Sequence, residues 1–142
     1  MKDLMNKIYK DNGLDKNDIF TDRRKFTIIT RSGIEKIQAN NEIAVTYDVI
    51  KAELDNCIVK ATSLIKDGDE WIPKIETFGS ATKDNCRQPF RMEIAEKRAL
   101  ARVIIKTMNY TNVLGEDEIS YQKTASKDWD NDLDAINKLT NG

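Results

Sequence analysis

The chain has 142 residues, 39% of them hydrophobic and 33% charged, enough for one compact domain and too short for two ordinary ones. It contains no histidine, which removes the commonest general base, the commonest metal ligand and any Ser-His or Cys-His dyad. The expected core shows no tight carboxylate constellation either, so the chain reads as a non-enzyme with no cofactor and no metal.

Charge is unevenly spread. Residues 116–142 hold seven acids and three bases, a net of −4, which leaves 20 bases and 17 acids, net +3, on residues 1–115. This asymmetry divides the chain into a mildly basic body, 1–115, and an acidic tail, 116–142. No stretch approaches the roughly 18 apolar residues of a membrane span. The opening MKDLMNKIYKDNG has no apolar region of a secretory signal, so the expected location is the cytoplasm. There Cys57 and Cys86 are expected to be free thiols.

In chain order, residues 2–11 suit a short helix with Leu4, Met5 and Ile8 on one side. Residues 26–30 (FTIIT) read as a short strand by their β-branched and aromatic content. Ser32 can cap a helix over 33–40 that carries Ile34 and Ile37. Residues 42–54, 57–66 and 70–81 read as three strands, with Asp55-Asn56 and Asp67-Gly68 as turns, hence an antiparallel meander. In the first of these, Ile43, Val45, Tyr47 and Val49 alternate on one face, and Ile50, Ala52 and Leu54 continue in the opposite phase. That phase change predicts a bulge near Val49–Ile50. Pro73 cannot donate to a ladder, so the third strand is expected either to lie at a sheet edge there or to enter the sheet only after Pro73. A long helix follows over 88–108, with Pro89 near its first turn, then a loop over 109–115. Within the tail, Ser126 can cap a short helix with Trp129, Leu133, Ile136 and Leu139 as its apolar stripe. The fold class is therefore α+β: a three-stranded antiparallel meander with a short N-terminal strand, packed on a long C-terminal helix as a β-β-β-α core.

The long helix is where chemistry shows. At roughly 100° per residue, Arg98, Arg102, Arg87 and Lys106 all fall within about 60° of Arg91, while Met92, Ile94, Ala99, Leu100, Val103, Ile104 and Ile105 cover most of the remaining circumference. A helix buried on its other sides would present one row of guanidinium groups. These repel one another unless an anion lies along them, and a phosphate backbone accepts bidentate bonds from Arg. The alternative is a solvated face paired with acidic groups of the sheet. On the phosphate reading, Arg91 and Arg98 contact DNA rather than core, and replacing them weakens binding with little effect on folding. Arg23, Arg24 and Lys25, just before the first strand, together with Arg31 and Lys36 form a second basic set.

The strand ending in ETFGSATKDN and the helix RMEIAEKRALARVIIKTMNYTNVLGEDE, in an order of short strand, helix, three long strands and long helix, resemble the Rad-fifty-two superfamily of single-strand annealing proteins over roughly residues 25–116. The matching positions are Gly79, Lys97, Arg98, Ala99, Leu100, Asn112, Leu114 and Gly115. The resemblance implies that Lys97 and Arg98 line a groove holding the DNA backbone, with single-stranded DNA and further copies of the chain, in a ring or filament, as partners. Where the family has an Arg directly after the Leu, this chain has Ala101, with Arg102 one place later. A basic residue near the start of the preceding helix maps loosely onto Arg31 or Lys36. The chain is also similar to short phage-encoded proteins sharing ETFGSATKDN…AEKRAL, which implies a phage or prophage origin and a bacterial host cytoplasm. Two other readings stay open: a double-stranded-RNA-binding module, which shares the helix, three strands, helix order, and a structural oligomer whose arginines pair with acids of a neighbour. The acidic tail is expected to compete for the basic groove, to recruit replication and recombination proteins through Trp129 and Leu133, or to pack on the body.

Overall fold

The computed structural model describes residues 2–23 and 25–118. The elements run α1 (Lys2–Asp11), β1 (Ile19–Thr21), β2 (Thr27–Ile29), α2 (Arg31–Asn40), β3 (Ala44–Glu53), β4 (Asn56–Asp67), β5 (Glu70–Thr82), α3 (Arg91–Thr107) and β6 (Val113–Gly115). The expected helix within 126–139 lies outside the described residues.

The three long strands form an antiparallel sheet in the order β3-β4-β5. Burial in β4 alternates, with Cys57, Val59, Ala61 and Ser63 buried and their neighbours half-exposed, as a strand covered on one face requires. Thr77, Gly79 and Ala81 continue that buried row in β5, and α3 lies across both strands. The predicted bulge is present: pairing runs to Val49↔Val59 and resumes at Lys51↔Ile58, leaving Ile50 as the extra residue. β5 is an edge strand, which accommodates Pro73 opposite Leu64 at a second register shift.

Small side chains set how closely α3 approaches. Ala95 and Ala99 of α3 and Ala61 and Ala81 of the sheet are all fully buried in one core. At Gly79 a Cβ would stand 2.2 Å from the Ala95 carbonyl oxygen and 2.4 Å from the Ala99 nitrogen. No side chain fits there. Hydroxyls complete the seam: Thr77 Oγ1 donates to the Ala99 carbonyl at 2.9 Å, and Thr107 Oγ1 lies 2.7 Å from Ser63 Oγ.

The rest of the body departs from expectation. Instead of one short strand there are three, in a second sheet ordered β1-β2-β6, with β1 antiparallel and β6 parallel to β2. The N-cap of α2 is Thr30, whose Oγ1 accepts from the Gly33 N–H. Ser32 instead donates to the buried Asp18 carboxylate at 2.5 Å. Helix α3 begins at Arg91, after Pro89, so Arg87 sits in the preceding loop and not on the helical stripe. Among the described residues, no helix is long and apolar enough to cross a membrane.

Gly79→Ala is expected to lower unfolding stability by about 3 kcal/mol or more, because the new methyl meets helix backbone that cannot move away alone. Gly68 has φ +65° with nothing within 4 Å, and there Gly68→Asn is expected to cost under about 1 kcal/mol. Urea denaturation of both variants checks the contrast.

Candidate nucleic-acid interface

The arginine row of α3 does not face open solvent. Arg98 and Arg102 face the outer edge of β5 and the chain that follows β6, and Arg91 faces the β3–β4 turn. Arg98 is 1% exposed. Its Nη1 donates to the Ser80 carbonyl at 2.7 Å and to Asn85 Oδ1 at 3.0 Å, its Nη2 to the Asn85 carbonyl at 2.9 Å, and its Nε to the Asp117 carbonyl at 3.3 Å. Burial pushes its pKa down, with the negative charges nearby pulling it back. A guanidinium keeps its charge on burial, so burying it is tolerated only when its fork is satisfied in this way. The expectation that Arg98 stands clear of the core is therefore corrected: Arg98 is part of the interior.

Arg91 is also committed internally. Its Nη1 donates to the Leu54 carbonyl at 3.2 Å and to Asp55 Oδ1 at 3.3 Å, and its Nη2 to the Cys86 carbonyl at 3.5 Å, tying the start of α3 to the β3–β4 turn. Arg102 donates from Nη1 to the Phe78 carbonyl at 2.7 Å and grips the Glu118 carboxylate through Nε and Nη2. Two successive outward carbonyls of β5, Phe78 and Ser80, are thus taken by two arginines one helical turn apart.

Parallel pairing explains why an acidic segment meets this row. Ile29 of β2 lies beside Gly115 of β6, so both chains leave the sheet in the same direction and residues 30–31 emerge next to 116–117. The Arg31 N–H, at the start of α2, donates to Glu116 Oε1 at 3.0 Å, and Arg31 Nη2 lies 3.6 Å from Asp117 Oδ1. Carboxylates are favoured at a helix N-terminus by its unpaired N–H groups and dipole. Lys97 is half-buried and near Asp117. Burial pushes the Asp117 carboxyl above the usual range, while Arg31, Arg98 and Lys97 oppose that rise without cancelling it. Arg31, Lys97, Arg98 and Arg102 therefore converge on Glu116, Asp117 and Glu118.

Next to this cluster is an open groove of about 520 Å³, lined by Phe78, Arg102, Lys106, Leu114 and Glu118 among others. Lys106 is exposed, and Phe78 is 52% exposed. The remaining expected residues lie elsewhere. Arg87 is exposed in the loop before α3. Lys36 points to the 15–18 turn, 2.6 Å from Asp18 Oδ2 and 3.5 Å from Asp15 Oδ2. Burial would raise the Asp18 carboxyl, but hydrogen bonds from Lys36, Ser32 and the Asp15 N–H outweigh it and hold the group below its usual value. Lys36 is thus a structural partner of Asp18. Among the described residues, no group of three or more Cys, Asp or Glu side chains is placed to hold a metal ion.

Sequence reasoning missed Glu116–Glu118 as site residues. Composition assigned them to the tail, and the short β6 that delivers them carried no strand pattern.

No family model, no curated protein and no solved structure matches this chain.

Arg98→Ala is expected to cost about 3 kcal/mol or more, because it strands the Ser80 and Asn85 acceptors in the interior. Lys97→Ala and Lys106→Ala are expected to stay within about 0.5 kcal/mol of the parent. Thermal melts followed by circular dichroism separate the two classes.

Proposed function

We propose that the protein binds single-stranded DNA and promotes annealing of complementary strands in phage-type recombination or replication. One observation carries this reading: Arg31, Lys97, Arg102 and the first N–H of α2 converge on the carboxylates of Glu116, Asp117 and Glu118, with Arg98 beneath them on the Asp117 carbonyl. A place that gathers four cations around internal anions also suits phosphates. Arg98 is the positioning residue that holds β5 and residue 117 in place. Arg31, Lys97, Arg102 and Lys106 are the groups that reach phosphate once the carboxylates give way. Half-exposed Phe78 beside Arg102 and Lys106 supports a single strand over a duplex, since an unpaired base can stack on it.

A second reading, a structural protein that does not bind nucleic acid, is favoured by a specific observation: Arg91, Arg98 and Arg102 are all engaged within the chain.

Fluorescence anisotropy with labelled oligo-dT, duplex DNA and duplex RNA decides between these. The nucleic-acid reading expects oligo-dT to bind tightest. Lys97→Ala and Lys106→Ala are each expected to weaken it several-fold at low salt and to lower the salt slope by somewhat under one unit. Phe78→Ala is expected to cost about 1–3 kcal/mol of binding. Tighter binding of duplex RNA would favour the double-stranded-RNA module, and no binding at low salt would favour the structural reading.

A further inference from the structure

Among the described residues, β3 is the strand that the other elements leave uncovered. Val45, Tyr47, Val49 and Ala52 lie opposite Ser63, Ala61, Val59 and Cys57, the buried row of β4. They therefore continue the core-facing side of the sheet. Helix α3, however, lies across β4 and β5 and scarcely reaches β3. As a result Tyr47 is 38% exposed, Val49 59%, Ile50 53% and Leu54 83%. The bulge at Ile50 is what aligns the two apolar phases of AVTYDVIKAEL. Without it, Ala52 would turn to the polar side. On the other face, Asp48 and Lys51 lie opposite Lys60 and Ile58. Among the described residues β3 pairs only with β4, so a ten-residue strand presents an open backbone edge beside an open apolar row. Soluble proteins avoid leaving such an edge unpaired.

We propose that β3 is a self-association surface, and that its occupant is β3 of a second copy, antiparallel about a two-fold axis through the bulge. Three observations select this occupant. The copy supplies the same two features that β3 lacks a partner for, an open edge and an apolar row, which is the condition for an isologous contact. Antiparallel approach about the bulge sets Asp48 beside Lys51 of the partner subunit, and does so twice. A parallel approach would instead stack like charges. The other edge of the meander is closed to a head-to-tail continuation, because the Phe78 and Ser80 carbonyls of β5 already accept from Arg102 and Arg98.

Sedimentation equilibrium on the full chain tests this. The wild type is expected to form a dimer at micromolar concentration. Val49→Lys, at an exposed position, is expected to raise the dissociation constant about tenfold or more while dilute-solution circular dichroism stays unchanged. Asp48→Lys alone is expected to weaken the dimer, and Asp48→Lys with Lys51→Asp to restore it, because the pair is reciprocal across the two-fold. A wild type that remains monomeric at high micromolar concentration overturns the proposal. So does an assembly that Val49→Lys leaves intact, or a double variant no tighter than Asp48→Lys.

Discussion

The buried guanidinium of Arg98 is the interaction on which the rest of this structure depends. An unpaired charge in the interior costs several kcal/mol, so the chain around Arg98 has to supply acceptors from several directions. Those acceptors come from the β5 edge, from the loop at Asn85 and from the chain after β6. Satisfying one side chain therefore fixes the end of the meander, shapes the connection into α3 and draws residue 117 back across the helix. The close approach of α3 at Gly79 makes this geometry possible, since a wider gap would leave the fork short of the Ser80 carbonyl.

Once residue 117 is held there, Glu116 and Glu118 follow onto Arg31 and Arg102, and the magnitudes decide how firmly they stay. Arg31 is 43% exposed and 3.6 Å from Asp117, a pair of the kind worth at most about 1 kcal/mol. The two-pronged grip of Arg102 on Glu118 is stronger, yet Arg102 is itself 38% exposed. A polyanion brings many charges at once and gains from releasing its condensed counterions. The carboxylates themselves are largely covered, Asp117 with 14% and Glu118 with 9% of the side chain exposed, so the proposed function requires a phosphate chain to displace them from Arg31 and Arg102 while the hydrogen bonds of Arg98 to backbone carbonyls stay in place. On that proposal Arg31 and Arg102 are the exchangeable arginines of the cluster and Arg98 is the fixed one.

Much of this was legible in the sequence, and the failures have a common cause. The meander follows from period-two alternation, and the bulge from the phase change between Val49 and Ile50. Both are local patterns that tertiary contacts did not override. The α3 stripe was legible as a stripe, because helical spacing fixes which side chains share a face. What that face meets is a tertiary fact. The row turned toward the β5 carbonyls and not to solvent, and no helical projection contains that information. β1 and β6 are three residues each, too short for alternation to register, so the parallel β2–β6 pair that places Glu116 beside Arg31 was invisible. Composition then grouped Glu116, Asp117 and Glu118 with the acidic region they begin, when in space they belong to the body.

The central proposal is that Arg31 and Arg102 exchange their carboxylates for phosphates while Arg98 does not. Side-chain Nε–Hε resonances of the arginines, followed by NMR during an oligo-dT titration at low salt, test it directly. The account predicts that the Arg31 and Arg102 signals move to saturation and return as salt is added, with the Arg98 signal unmoved. Arginine signals that all stay in place at saturating oligonucleotide, or an Arg98 signal that moves with the others, would contradict it.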